Sequence, residues 1–357
     1  MGFNPGDRIG NYRVDSELGA SGAGLLIQAQ HLVLPRRVLL KVVHPAFAAI
    51  QPYAVQTLRE ACILEAIAHP GVPVVYESGV LRDRRPWFAL EVIAGPTLED
   101  ALAAGPLATE DAIHLVRDLA EILEHAHRRG VIHRGLRPDR VVITAARRYP
   151  LCIPDWSEAI VHDATSHLLP ATPEHAYPYI APELAHELER SPDPVPEGSG
   201  PHASHAFPMS SGAAIDDRAD MFALGAIGYR ALTGELAFAD GTYVAVRDRV
   251  ADAPDELASL IDALLAFDRF DRPNAGEVHA VLEAMLPHGA PAVQQHAAAQ
   301  FTMQRGKVDV DAGPHGDAAP VSSTRLRRPR WTPDIRYLET THVDITLAAV
   351  EEDWIKD

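Results

Sequence analysis

The stretch Val131 to Ile143, VIHRGLRPDRVVI, decides the fold. On its N-terminal side Ala112, Leu115, Val116, Leu119, Leu123 and Ala126 recur at three- and four-residue spacing. That spacing predicts one long helix from Thr109 to Arg129, stopped at Gly130. On the C-terminal side the chain enters the β-branched run Val141 to Ile143, which reads as a short strand. The connection between helix and strand carries His133, Arg134, Gly135, Arg137, Asp139 and Arg140.

A chain of 357 residues has room for one two-lobed domain of about 280 residues and a tail. Hydrophobic residues at 47% against 23% charged place it among ordinary globular proteins. No apolar run approaches the ~18 residues of a membrane helix, so no membrane association is expected. The N-terminus MGFNPGDRIG lacks the basic start and apolar stretch of a secretory signal, and it lacks the Ser or Thr of a myristoylation site. A cytoplasmic location is expected. Cys62 and Cys152 fall in apolar periodic segments and read as small buried hydrophobes in a reducing compartment. A net charge of -17 argues against a nucleic-acid partner, which would need a dense basic face. His125, His127 and His133 cluster without a Cys or carboxylate at ligand spacing, so a metal site is not expected there.

Upstream of the loop, Tyr12 to Gln30 alternates apolar and polar residues around LGASGAG, a strand, glycine turn and strand. Such a turn lets backbone N–H groups approach an anion because no Cβ intervenes. In Val38 to Val43, VLLKVV, one lysine interrupts an apolar strand, and its charge must reach water or an anion. Val55, Leu58, Cys62, Ile63 and Ala66 recur at helical spacing within Tyr53 to Ala68, a segment that also holds Glu60. Strands are predicted over Val74 to Gly79 and Trp87 to Val92. Gly95 and Pro96 then break the chain, and Thr97 caps a helix from Leu98 to Ala103.

Downstream lie LCIPDWSEAI (Leu151 to Ile160), YPYIAPE (Tyr177 to Glu183), a helical run from Asp216 to Thr233, FDRFDRP with Arg272, and a last helix from Ala275 to Met285. Ser191 to Gly212, rich in Pro, Gly, Ser and His, reads as a flexible surface insertion, with an interaction loop as the sharper alternative. The tail from His288 carries a basic knot, RLRRPRW at Arg325 to Trp331, read as a solvated segment.

Taken in order, these segments resemble the eukaryotic-like Ser/Thr protein kinases. The resemblance covers about residues 10 to 286. It implies an α+β, two-lobed fold: a small antiparallel sheet and one helix over about 12–93, then a larger, mainly helical lobe over about 94–286. A lead at 1–11, an insertion at 191–212 and a largely disordered tail at 287–357 complete the expected organisation. Gly19 and Gly24 match the first and third glycines of the phosphate-covering loop, Ser21 followed by Gly22 stands at the second, and Leu26 takes the position above the adenine. Lys41 and Glu60 match the ion pair beside the α- and β-phosphates, and Glu91 to Ile93 match the adenine edge. His133 and Arg134 fit the catalytic loop, and Asp155 fits the magnesium-binding carboxylate, with Trp156 and Ser157 in place of Phe and Gly. Ser157 reaches positive φ less cheaply than glycine, which would restrict switching of this segment. Glu183 and Arg272 match a structural ion pair, and Asp220 and Gly225 match the helix that holds the catalytic loop.

The departures fall on the chemistry. Gly135 stands where the family has the Asp that accepts the substrate hydroxyl proton, Arg140 where it has the Asn of a second Mg²⁺, and Arg137 where it has a lysine. Loss of a general base removes roughly 10²- to 10⁴-fold of rate. A fixed cation at Arg140 competes with Mg²⁺ at Asp155 and is itself placed to touch phosphate oxygens. The resemblance therefore implies a catalytically impaired pseudokinase, a nucleotide-responsive signalling or scaffold module that takes ATP with weakened Mg²⁺. Its expected partner is a protein: an active kinase, or a phosphothreonine reader attracted by ETTHVD (Glu339 to Asp344). The alternative is an active or weakly active Ser/Thr kinase moving the γ-phosphate, with water, Asp139 or Asp163 as substitute base. Transfer of a different part of an inverted nucleotide is a third class that no residue specifically favours.

Overall fold

Alternation along the first ninety residues builds an antiparallel sheet, because a two-residue period gives each strand one face for a core. Strands β1 (Arg8–Ile9), β2 (Tyr12–Ser21), β3 (Gly24–His31), β4 (Arg37–Val43), β5 (Val75–Val80) and β6 (Pro86–Glu91) form it, in the spatial order β1-β2-β3-β4-β6-β5. In β4, Val38, Leu40 and Val42 join Ile9, Tyr12, Val14, Ile27 and Trp87 in a cluster on one face. Lys41 falls on the other face, towards helix α1 (Gln51–Ile67), which packs on β4 and β6. This is a computed structural model, and it describes residues 2–21, 23–48, 51–145, 147–161, 174–185, 215–239 and 241–286. Gly22, Asp163, the 191–212 insertion and the 287–357 tail, with its basic knot and Thr341, lie outside the described residues.

The chain leaves the sheet through Gly95, where an added Cβ would stand 1.9 Å from the Ile143 carbonyl oxygen. Only glycine allows that approach, which sets the connection between the lobes against the catalytic loop. A capping box between Thr97 and Asp100 starts α2 (Leu98–Leu102). The second lobe then adds α3 (Thr109–His127), α4 (Arg218–Thr233), α5 (Val246–Arg249), α6 (Asp255–Leu264) and α7 (Ala275–Met285). In α4 nearly every side chain is buried, as expected of a helix that is apolar all round. It packs against α3 and α6, while α3 also packs against α7. Two short ribbons frame the catalytic loop: β7 (Val131–Ile132) pairs with β10 (Ile160–Val161), and β8 (Val142–Ile143) with β9 (Leu151–Cys152).

Candidate active site

The loop that follows β7 is gripped from below by one buried carboxylate. Asp220, in the first turn of α4, accepts hydrogen bonds from the backbone N–H groups of His133 (2.8 Å) and Arg134 (2.7 Å). It also pairs with the His127 ring at 2.9 Å. Burial by itself would raise the Asp220 pKa, but His127 and His133 hold it below the ordinary value. The grip sustains a strained residue, since Arg134 sits at φ 63°, a region uncommon for non-glycine residues. Its Nε donates to the Glu158 carbonyl at 2.7 Å. His133 packs edge-on against Trp156 with ring centroids 4.5 Å apart, and burial lowers its pKa. Trp156 is fully buried, so the aromatic exchange preserves docking of this segment.

Above the loop the expected charge pair is assembled. Lys41 Nζ lies 2.8 Å from Glu60 Oε2 and 3.4 Å from Asp155 Oδ1. Burial works against the Lys41 charge, but Glu60 and Asp155 together raise its pKa above the usual ammonium value. Glu60 also accepts from the Trp156 N–H at 3.3 Å, and Gln56 of α1 donates to the Ser157 carbonyl. Helix α1 is thus tied to the Asp155 segment through two side chains. Leu26 stands cross-strand from Lys41 on the same sheet face. Gly24 packs so closely on the lysine that an added Cβ would lie 2.8 Å from Lys41 Cγ. Gly19 takes φ 144°, and Ser21 Oγ donates to Asp155 Oδ2 at 3.1 Å. Where the adenine edge was expected, the Glu91 N–H bonds the Val74 carbonyl and its carboxylate pairs with Arg147 at 2.8 Å. Ile93, half-buried, follows where the chain leaves β6.

The departures from the family pattern interlock. Arg140 Nε lies 3.3 Å from Asp155 Oδ2, its Nη2 pairs with Glu158, and its Nη1 donates to the Gly135 carbonyl at 3.2 Å. An added Cβ at Gly135 would stand 2.3 Å from Arg140 Nη1 and 2.4 Å from Glu158 Oε2. The space a side chain at position 135 would use is therefore filled by the Arg140–Glu158 pair. Arg137 donates to Asp139 at 2.7 Å and lies 3.9 Å from Glu158. Despite burial, Glu158 and Asp155 raise the Arg140 pKa above its ordinary value. Burial would raise the Asp155 carboxyl in turn, but Arg140 and Lys41 hold it well below the carboxylate range.

Asp155 was the one metal ligand expected from the sequence, and the donor set around it does not fit Mg²⁺. Its Oδ1 faces Lys41 and its Oδ2 faces Arg140 and Ser21, so a cation already stands against each oxygen. Among the described residues, no group of three His, Cys, Asp or Glu side chains could hold a metal ion. Asp139 is engaged by Arg137 and lies 3.7 Å from His175. Cys152 is buried, whereas Cys62 is only partly so. Sequence reasoning missed Glu158 and Gln56, and it weighed His127 only as a metal ligand and not as the partner of Asp220. A signal for Glu158 was available: removing a carboxylate at position 135 leaves Arg137 and Arg140 in need of an acid.

The model of the protein kinase domain matches residues 12–282. This chain belongs to the protein kinase domain family. Among curated relatives it is similar to the serine/threonine-protein kinase PknJ of Mycobacterium tuberculosis, 27% identical over 81% of this chain and 47% of that protein. It is also similar to the serine/threonine-protein kinase pkn2 of Myxococcus xanthus, 29% identical over 89% of this chain and 36% of that protein. The chain thus spans less than half the length of either relative. A solved structure of the Mycobacterium tuberculosis PknI kinase domain shares the fold, with TM-score 0.55 and 23% identity over 80% of this chain and 98% of that one. Among the described residues, no helix is long and apolar enough to cross a membrane.

Proposed function

We propose that this kinase domain is a nucleotide-responsive signalling module in which phosphoryl transfer is impaired. The observation that carries the reading is the Arg140 guanidinium, lodged between Asp155 and Glu158 beside Lys41. In that position a fixed cation takes the role of neutralising phosphate charge, a task at which arginine's planar, permanently charged fork is effective. ATP is then held by Lys41, Arg140 and the glycine-turn backbone with little dependence on Mg²⁺. Its binding steadies the Lys41–Glu60 pair and α1, and the output is contact with a cytoplasmic protein partner, an active kinase or a phosphothreonine reader.

Thermal melts of the whole chain with ATP, in EDTA and in Mg²⁺, test this. The expected result is a comparable upward shift in both buffers that disappears in Lys41→Ala. No shift in either buffer would end the reading. A shift that requires Mg²⁺ would favour the second reading, a working Ser/Thr kinase. That reading draws support from the completed Lys41–Glu60–Asp155 arrangement, which an idle scaffold does not require.

A further inference from the structure

We propose that Glu158 supplies, from the opposite side of the loop, the carboxylate that Gly135 lacks, and that it is the proton acceptor for a slow residual phosphoryl transfer. The argument starts from space. A side chain on residue 135 would have to enter a volume in which Glu158 Oε2 already stands 2.4 Å from the Cβ position. A carboxylate oxygen therefore stands where the first side-chain atom of residue 135 would be. Its surroundings match that role: Arg137 and Arg140, which follow position 135 in the loop sequence, both turn towards Glu158 Oε1. The Arg134 side chain fixes the Glu158 backbone at 2.7 Å, so the residue is anchored on the loop it completes.

The carboxylate also faces the side from which an acceptor would come. Gly135, Arg137 and Glu158 line a small cavity closed across the way by Ala176 and by Tyr179 and Ile180 of the YPYIAPE segment. A hydroxyl entering there meets Glu158, the one acid among the residues lining that cavity, whereas Asp139 does not line it. In the step proposed, the acceptor hydroxyl gives its proton to a Glu158 carboxylate oxygen as its own oxygen bonds to the γ-phosphorus of ATP. The bond from that phosphorus to the β,γ-bridging oxygen breaks, and ADP leaves with the electron pair. The inference rests on the nucleotide reading given above, since it requires ATP beside Lys41.

The test uses the full chain with γ-labelled ATP and histone as acceptor, with and without Mg²⁺, alongside ATP-dependent melts of each variant. Glu158→Gln keeps the shape and a hydrogen bond to Arg140 while removing the acid. Wild type should transfer label slowly. Glu158→Gln should lose about 10²-fold or more of that rate while its ATP shift is retained. Gly135→Asp combined with Glu158→Gln should regain transfer, because the atoms an aspartate displaces there are the ends of flexible side chains. Wild type that binds ATP and transfers nothing would overturn the relocated base and leave the nucleotide reading standing. Transfer unchanged in Glu158→Gln would overturn it as well. Loss of ATP binding in Glu158→Gln, unrelieved in the double variant, would reduce Glu158 to a support for Arg140 and equally end the proposal.

Discussion

Arg140 and Asp155 pose the sharpest question at the scale of single residues, because the carboxylate that would hold a metal already faces two cations. Arg140→Asn removes one of them and restores a neutral oxygen donor at that position. The expected outcome is an ATP affinity that becomes Mg²⁺-dependent by roughly tenfold or more, read by calorimetry in EDTA and in Mg²⁺. Lys41 was legible in the sequence because a charge inside an apolar strand demands an anion, and Glu60 lay at the right place on a periodic helix. Glu158 was legible only in part: the missing carboxylate at position 135 signalled that an acid was needed beside Arg137 and Arg140, but nothing in the sequence said which acid folds back to them. Acid should find the residues beneath the loop. His133 has its pKa lowered from 6.5 by burial. The stabilisation from its neutral ring is therefore complete above pH 6.5 and declines as pH falls towards its lower folded value. Asp220, lowered from 3.8, adds a second decline below that pH. His114 and His125 share the direction of His133, so His133→Phe should remove part of the first decline in a series of melts, not all of it.

Elements with strong periodicity were readable: α1, α3, α4 and α7 lie where apolar spacing placed them, within two residues at each end. Strands β5 and β6 shift by one residue from the expected bounds. The two-residue strands around the loop carry too few positions for a period to declare itself, and what fixes them is pairing across the chain. Packing of α4 was equally invisible in the pattern. Gly225 faces the Leu264 Cβ so closely that an added Cβ would approach it to 2.6 Å, whereas at Gly228 the atom met is the Ile261 Cδ1 at 2.5 Å. A Cβ cannot swing away, but the end of an isoleucine can. Gly225→Ala should therefore destabilise by about 1–3 kcal/mol, and Gly228→Ala by less, in urea unfolding.

At the scale of the whole molecule, the YPYIAPE segment is fastened to the helical lobe by Glu183 and Arg272, a two-bond pair at 2.7 and 2.9 Å. Arg272 is fully buried and also donates to the Ala266 and Arg218 carbonyls. Arg272→Met leaves that carboxylate and those carbonyls without their donor, and the expected cost is about 3–5 kcal/mol, measured by denaturant midpoint. The pair was readable because two motifs far apart in the chain fitted one architecture. The contact between Ser21 and Asp155 was not. With the serine at the tip of the β2 hairpin bonded to a carboxylate of the other lobe, the roof of the cleft is tied to its floor. On the proposed nucleotide reading, ATP entering under that roof would have to displace this bond. Association measured by stopped flow should level off as ATP concentration rises, at a ceiling set by opening and not by encounter. Ser21→Gly should raise that ceiling, so that a single hydroxyl sets how readily the cleft admits its guest.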